Sequence, residues 1–575
     1  MVTKEQEIFK LQKEIEKLKK SVKKQRYGLV WMDVPEAFED DVENKLPILK
    51  EVPELAVRNN DGKPTHILIE GDNYHALTCL NYTHKGKIDV IYIDPPYNTG
   101  SDGFRYKDKR IISKFPDGTE VPKDHPFRHS YWLSFMRKRL ELARDLLQEE
   151  GVAFISIGKD ELANLVLLVK EIFFEQNFID VLPREQKSGS NQGNFFAPQL
   201  DYIIVVSKNL KRLKSFVINK GLIDSKSEKS LYQSSLDPMR GCSNQRYWVK
   251  CPDGSFVIPP GKNYPSLGDG EKVKPKNRDD KVWRWSQTRY LAERENILFK
   301  KTKRSPLINQ DKKSAEWNVY SSNGGSETML PRDYIFGYTN SMGTKELELL
   351  GLKDKFDNPK PTELIKYLIS IINSKKDMVI LDFFAGSGTT GQAVINMNND
   401  INKNSHQFIL VTNNENNIMK EVCYPRIKRV IEGYKKVTKG GNSLKYYKTQ
   451  FIGKNNILEA DDEDKVELAY NAGELLAIAE NTLELVKQSK YYQLFENNLK
   501  ERYTAIYFRE ELDDFDKFVE IIEKLNKKTA VYVFSWGDDE FNEEFEHVKD
   551  VKVKTIPIPI LEIYKSIYNL GGYNV

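Results

Sequence analysis

Asp94-Pro95-Pro96-Tyr97 sets a carboxylate, two prolines and an aromatic ring on consecutive residues. The carboxylate can accept hydrogen bonds from a ligand and the ring can stack on a flat one. The prolines forbid both helix and sheet ladder, so the tetrapeptide is an irregular, stiff loop. The plain alternative is a turn. A second stretch, MVILDFFAGSGTTG at 378–391, carries Gly386 and Gly388, which let backbone approach a ligand closely. No lysine follows this loop, so it is not a phosphate-binding P-loop. Gly391 supplies the third glycine of a dinucleotide fingerprint, so a nicotinamide or flavin fold is open at this point.

Both loops need strands to hold them. IDVIYI (Ile88 to Ile93) and Met378 to Phe383 are short apolar runs that read as buried strands. A helix follows the glycine loop. In open α/β sheets, ligands bind outside the carboxyl ends of strands, which is where both loops fall. ILIE, ending in Gly71-Asp72-Asn73, predicts another strand. Asp72 or Asn73 can reach a ligand there or cap the helix YHALTCL. His129 to Gly151 reads as an amphipathic helix stopped by Gly151, Gly151 to Ile157 as a strand, DELANLVLLVKEIF as a helix and Gln199 to Lys208 as a strand. This alternation predicts a mostly parallel sheet. FILVTNNE is a strand ending in Glu415, and an acid there can accept from both hydroxyls of a ribose. Residues 27–64 read as a loop-rich lead-in, 416–454 as containing a basic helix, and Asp462 to Lys487 as one long helix. The letters PDGTEVPK within 112–123 read as a plain turn, and the preceding Gly- and Asn-rich NTGSDGFRYKD as a mobile loop.

In this order in one chain, DPPY and FAGSG resemble the β group of amino-methyltransferases, which act on exocyclic nitrogens of DNA bases. The stretch IEGDNYHALTCLNYTHKGKIDVIYIDPPYNTG (Ile69 to Gly100) is similar to the modification subunits of type III restriction-modification systems. The resemblance implies an α/β, permuted Rossmann-like, S-adenosylmethionine-dependent methyltransferase fold, with an inserted target-recognition domain and a small C-terminal α/β domain. The implied layout is a helical arm at 1–26, the catalytic half at 27–208, target recognition at 209–335, the cofactor half at 336–454 and the C-terminal domain at 455–575. Arg and Lys interleaved with rings, as in Arg246-Tyr247-Trp248 and Trp283-Arg284-Trp285, suit phosphate and base contacts in the third segment. The alternative is that those rings are a small domain's core.

The implied reaction transfers a methyl group to N6 of a flipped-out adenine. Asp94 and the Pro95 carbonyl would accept from the amine, Pro96 would stiffen the loop and Tyr97 would stack on the base. The implied cofactor residues are Asp72 and Asn73 at the adenine, Lys360 and Pro361 at the methionine end, Asp382, Phe384, Ala385, Gly386, Ser387, Gly388 and Thr389 in the loop, and Glu415 at the ribose. Asp in place of Ser at position 94 leans to adenine; cytosine N4 is the alternative. Another is a non-catalytic DNA-recognition subunit tethering a restriction partner. A dehydrogenase gives Pro-Pro-Tyr no role, and Gly386 to Glu415 exceeds the roughly 20 residues expected there. ISIGKDE (155–161), where relatives commonly carry ISIDDNE, is expected to touch neither site.

Composition narrows the class further. The chain has 575 residues, 30% charged, with a net charge of only +4, so a nucleic-acid surface must be a local patch. Cys79, Cys242, Cys251 and Cys423 are too few and too scattered for a disulfide framework or a zinc site. The N-terminus lacks an apolar signal core and Leu162 to Phe174 is too short to span a bilayer, so a cytoplasmic protein is expected. Ile8, Leu11, Ile15, Leu18 and Val22 form a short heptad seam, either packed on its own domain or joining a homodimer, as the resemblance suggests. The expected partners are double-stranded DNA and a separate restriction ATPase/nuclease, since no Walker motif is present. The implied chemistry requires no metal.

Overall fold

The computed structural model describes Trp31 and residues 45–570, except 60, 100–125, 188–194, 220–228, 322–327, 373–375, 401–403, 456 and 538–540. The heptad arm, PDGTEVPK and most of NTGSDGFRYKD lie outside the described residues. The chain divides into two compact units, Met1–Lys214 with Arg332–Val575, and Ser215–Pro331.

The first unit is built on one nine-stranded sheet. Its strands are β1 (Leu46–Glu51), β2 (Thr65–Glu70), β3 (Ile88–Ile93), β4 (Leu147–Ile157), β5 (Phe178–Glu185), β6 (Leu200–Ser207), β7 (Val379–Asp382), β8 (Gln407–Thr412) and β9 (Ser443–Ile452). Their spatial order is β1-β9-β2-β8-β7-β3-β4-β6-β5. From β9 to β4 all neighbours run parallel. The strands at the middle of this run read as continuous apolar stretches; every residue of β3 is buried. β1 pairs antiparallel at one edge, and the β6–β5 hairpin pairs antiparallel at the other.

The connections run outward from the middle. From β3 the chain moves to β4, then to the edge strand β5 and back to β6 between them; from β7 it moves to β8 and, beyond β2, to β9. The border between β3 and β7 is therefore the switch point, where two parallel strands end side by side and their loops diverge. Asp89 of β3 accepts the Val379 N–H at 2.8 Å and so helps fix this border.

The helices that position the site are α1 (Asn73–His84), α2 (Ser130–Leu146), α3 (Leu162–Phe173), α4 (Asn340–Leu349), α5 (Thr362–Ser370), α6 (Thr389–Asn399) and α7 (Tyr424–Glu432). α2 ends at Leu146, before Gly151, because β4 starts at Leu147 and takes Gly151 into the sheet. The lead-in contains a real strand, β1, whose Pro47 is tolerated at an edge. β5 and β9 have no counterpart among the strands expected from sequence; β9, SLKYYKTQFI, mixes Lys with Tyr and is settled by pairing with β2. Among the described residues, no helix is long and apolar enough to cross a membrane.

In the C-terminal region, the expected long helix is broken into α8 (Asp462–Asn471) and α9 (Gly473–Glu480), and Glu484–Gln488 is a strand. Asn481 in the left-handed region ends α9 by accommodating a turn that helix geometry forbids. A five-stranded sheet follows, flanked by α10 (Phe515–Leu525) and α11 (Ile558–Leu570). It shares one hydrophobic core with the large sheet. The Tyr564 hydroxyl of α11 donates to the Pro47 carbonyl at 3.0 Å, and Tyr568 meets Tyr74 edge to face.

The second unit holds short strands around its own core of Tyr247, Trp283, Trp285 and Tyr290. These rings therefore pack rather than wait for bases. Arg246 is also buried, its guanidinium held by the carbonyls of Pro259, Pro260, Asn263 and Lys281. Arg284 stays exposed. Residues 215–331 carry 21 Lys and Arg against 13 Asp and Glu, a surplus of 8 in a chain whose total is +4, so the rest is net negative.

Three buried histidines make the first unit acid-sensitive. His66 stacks on Phe408 and accepts the Phe408 N–H on Nδ1. His406 accepts the Met378 N–H on Nδ1. Burial lowers His66 and His84 to about 3 and His406 to about 4, from 6.5. Their stabilising effect is complete above pH 6.5 and is lost as pH falls toward those values. His129, raised by its bond to Glu161, works in the opposite sense. We expect unfolding free energy to fall by about 2 kcal/mol per buried histidine between pH 7.5 and 5. Denaturant melts at both pH values check this; His66→Gln should flatten the dependence.

Candidate active site

β3 delivers Asp94 and β7 delivers the glycine loop to one cleft of about 770 Å³. Lys360 joins the two halves. Its Nζ donates to both Asp94 carboxylate oxygens at 2.7 Å, lies 3.9 Å from Asp201 Oδ2 and stands 5.1 Å from the Tyr97 ring centre. Lys360 is 7% exposed, whereas the Asp94 side chain is 30% exposed, so the ammonium is buried and the carboxylate keeps a face on the cleft. Asp201, on β6, is gripped by the Arg184 fork of β5: Nε donates to Oδ1 at 2.6 Å and Nη2 to Oδ2 at 2.5 Å. Paired, parallel N–H bonds of this kind fix both partners. The Tyr97 hydroxyl donates to Asp201 Oδ2 at 3.4 Å. Burial, together with the Asp94 and Asp201 charges, holds that hydroxyl well above its ordinary pKa, so Tyr97 stays neutral.

Two further contacts shape the tetrapeptide. Trp132 of α2 donates its indole N–H to the Pro96 carbonyl at 2.8 Å. Gly158, just past β4, lies flat against Tyr97, where an added Cβ would stand 2.8 Å from Cδ2. ISIGKDE therefore does touch the site: Gly158, Lys159 and Asp160 line the cleft. The expectation that it would not failed because β4 is the direct neighbour of β3, which the letters alone do not say.

On the other wall, Gly386 (φ 49) and Gly388 (φ 79) adopt the left-handed region, which other residues enter at a cost. Asp382 is buried; its carboxylate accepts from Thr390 Oγ1 at 2.6 Å and the Phe384 N–H at 3.0 Å. Burial pushes it up to about 7 against those bonds, with Asp94 adding to the rise. Arg426 of α7, fully buried, donates to Ser387 Oγ (3.0 Å), Thr389 Oγ1 (2.8 Å), Gln392 Oε1 (2.7 Å) and Glu346 Oε2 (3.0 Å). Glu346 of α4 in turn accepts the Thr362 N–H at 3.1 Å. The glycine loop and the Lys360-Pro361 segment are thus braced to one guanidinium.

Asp72 caps α1, accepting the Tyr74 N–H at 2.7 Å, and still lines the cleft. Asn73 donates to the Phe383 carbonyl at 2.9 Å and accepts from the buried Arg139 Nε. Glu415 is half-buried in a short 3₁₀ turn after β8. All the sequence-predicted site residues line the cleft except Pro95, Pro361 and Gly388, which are buried beside it. Sequence reasoning missed Arg139, Arg184, Asp201 and Arg426. A lone charge at the head of the apolar run DYIIVVS was a usable signal for Asp201; the arginines stand in charged stretches that look like ordinary surface.

A catalytic-type loop and a glycine loop at the switch point of a parallel sheet, with an antiparallel hairpin at one edge, define a permuted Rossmann-like methyltransferase fold. A DNA methylase family model, N6_N4_Mtase, matches residues 88–453, and the chain belongs to that family. The type III restriction-modification enzyme EcoPI Mod subunit of Escherichia phage P1 is 32% identical over 382 residues, 61% of this chain and 58% of its own length. The StyLTI Mod subunit of Salmonella typhimurium (strain LT2) is 31% identical over 64% of this chain and 56% of its own. The match thus spans less than three-fifths of these relatives. The type II methyltransferase M.KpnI of Klebsiella pneumoniae is 30% identical over 60% of this chain and 79% of its own. Among solved structures, PvuII DNA methyltransferase (cytosine-N4-specific) aligns over 66% of this chain at 10% identity and a TM-score of 0.33, too low to argue from.

The Arg184–Asp201 pair, at 0% and 2% side-chain exposure, is expected to be unforgiving. Arg184→Met should cost about 3–5 kcal/mol by stranding a buried carboxylate. Arg184→Met with Asp201→Leu should recover much of that loss; urea melts of the three proteins decide.

Proposed function

We propose that the chain transfers a methyl group from S-adenosylmethionine to N6 of adenine in double-stranded DNA, as the modification subunit of a restriction-modification system. The supporting observation is the meeting of Asp94 and Tyr97 with Lys360 and the glycine loop in one cleft. The cleft suits a nucleoside joined to an amino acid. At Gly386 a Cβ would stand 3.2 Å from the Phe356 ring, so the missing side chain lets that ring, which also lines the cleft, approach the loop. Glu415 would hold ribose hydroxyls, Asp72 and Asn73 the adenine end, and Lys360 the amino-acid end. When bound, the sulfonium supplies an electrophilic methyl group.

The remaining task is to prepare the amine. Its lone pair is delocalised into the base, so acceptors on its N–H groups must hold the nitrogen nearer to tetrahedral. Asp94 is one acceptor, the Pro95 carbonyl the other, and Asp94 is the nearest group to take the proton that the amine sheds. Trp132 and Gly158 hold the loop that carries both. The base must leave the duplex at a cost of a few kcal/mol. Stacking on Tyr97, about 1–3 kcal/mol for a base on an aromatic ring, offsets part of this. In-line positioning then supplies most of the rate.

Residues 215–331, with their local positive surplus, are the proposed DNA-reading element; their cations suit phosphates. The proposed assembly is a cytoplasmic homodimer joined through the N-terminal arm, working with a separate ATPase/nuclease chain. Two outcomes are expected. Incubation with methyl-labelled S-adenosylmethionine and unmethylated bacterial DNA should place label in N6-methyladenosine, with Asp94→Ala abolishing it; label in N4-methylcytosine instead would overturn the base assignment. DNA affinity should fall linearly on a log–log plot against salt, measured by fluorescence anisotropy. A flat line would remove the phosphate-contact role.

A further inference from the structure

Glu161 lies beyond β4, at the N-cap of α3, and its side chain is fully buried. Its carboxylate takes three donors: Asn98 Nδ2 on Oε1 at 2.5 Å, His129 Nδ1 on Oε1 at 2.5 Å and Asn164 Nδ2 on Oε2 at 2.7 Å. An ionised carboxylate is acceptor-only, so all three neighbours point hydrogens at it. The bond to Glu161 raises the His129 pKa, so the pairing favours the protonated imidazole. A buried carboxylate needs such a set to persist.

The first of those donors matters most. Asn98 directly follows Tyr97, is buried and has φ 56, in the left-handed region that asparagine enters more readily than most L-residues. The bond to Glu161 fixes the Asn98 side chain at this bend. His129 is the residue before α2, the helix whose Trp132 grips the Pro96 carbonyl. One carboxylate oxygen thus ties the exit of the tetrapeptide to the start of the helix that holds it. Gly158, three residues earlier, supplies the flat surface under the Tyr97 ring. Gly158 to Glu161 is a seat for Tyr97, and Glu161 is its fastener.

We propose that Glu161 is a positioning residue for methyl transfer: acting through Asn98, it sets the Tyr97 ring and the Asp94 loop. The proposal deepens the function given above and rests on it. Misplacement by about 1 Å can cost on the order of 10²-fold in rate. A merely structural Glu161 would instead show as a loss of α3 or of the fold.

The test uses the full chain as wild type, Glu161→Gln, Asn98→Ala and the double variant. The expected result is a fall of about tenfold or more in kcat for Glu161→Gln, with S-adenosylmethionine Kd by calorimetry within about twofold of wild type. The double variant should be no slower than the slower single one. Hydrogen exchange should accelerate in Glu161→Gln at the amides of Tyr97, Asn98 and Thr99 and leave α3 unchanged. Multiplying effects in the double variant, a kcat within twofold, or equal losses in kcat and cofactor affinity would overturn the proposal. Unchanged exchange at Tyr97 to Thr99 would also overturn it, and this can be read even if the wild type transfers no methyl, a result that would sink the proposed function instead.

Discussion

One ion pair joins the two halves of the site. Asp94 leaves β3 and Lys360 arrives 266 residues later, yet the ammonium sits on both carboxylate oxygens. Within this pair the buried ammonium needs the carboxylate, because at 7% exposure it has little water to stand in for a partner. That constraint reaches back into the topology. β3 and β7 must be neighbours and parallel so that their loops end together, and the chain leaves that border in opposite directions, from β3 to β4 and from β7 to β8.

The cleft also concentrates acids. Asp94, Asp201 and Asp382 all line it. Each is handled differently: Asp201 by the Arg184 fork, Asp94 by Lys360, and Asp382 by neutral donors, so that it rises to about 7. Lys360 lies within ion-pair reach of both Asp94 and Asp201, which makes the β6–β5 hairpin part of the electrostatics although it carries no loop of the expected motifs. The Arg426–Glu346 brace does the same for the glycine loop, locking Ser387 and Thr389 to the start of α5. The site is a set of short polar chains that end in buried arginines.

Much of the fold was legible because its signals are local. β3 and β7 are apolar runs ended by prolines or glycines, and those endings identify loops whatever surrounds them. The failures share a cause as well. β9 reads SLKYYKTQFI, and its lysines are acceptable only because Lys445 meets Glu51 and Lys448 meets Glu70. The supposed helix from Asp462 to Lys487 has helical letters almost throughout, but Asn481 turns left-handed and the chain continues into an edge strand. The aromatic–arginine clusters between 246 and 290 have the composition of a nucleic-acid surface, yet the rings became a core because a unit of that size has few other large apolar groups to bury.

By itself, the sequence determined that this is an α/β chain with a Pro-stiffened acidic loop and a glycine loop, each at the end of a buried strand. Those features follow from φ limits, hydrophobic runs and the missing side chain of glycine, all of which act within a few residues. Only the tertiary structure decided which charges meet. Lys360 on Asp94, Arg184 on Asp201, Glu161 on Asn98 and Gly158 under Tyr97 are contacts between strands and loops distant in sequence. A side chain's charge is written in the sequence, but its partner is set by strand order, and strand order is settled by which apolar faces can be buried together.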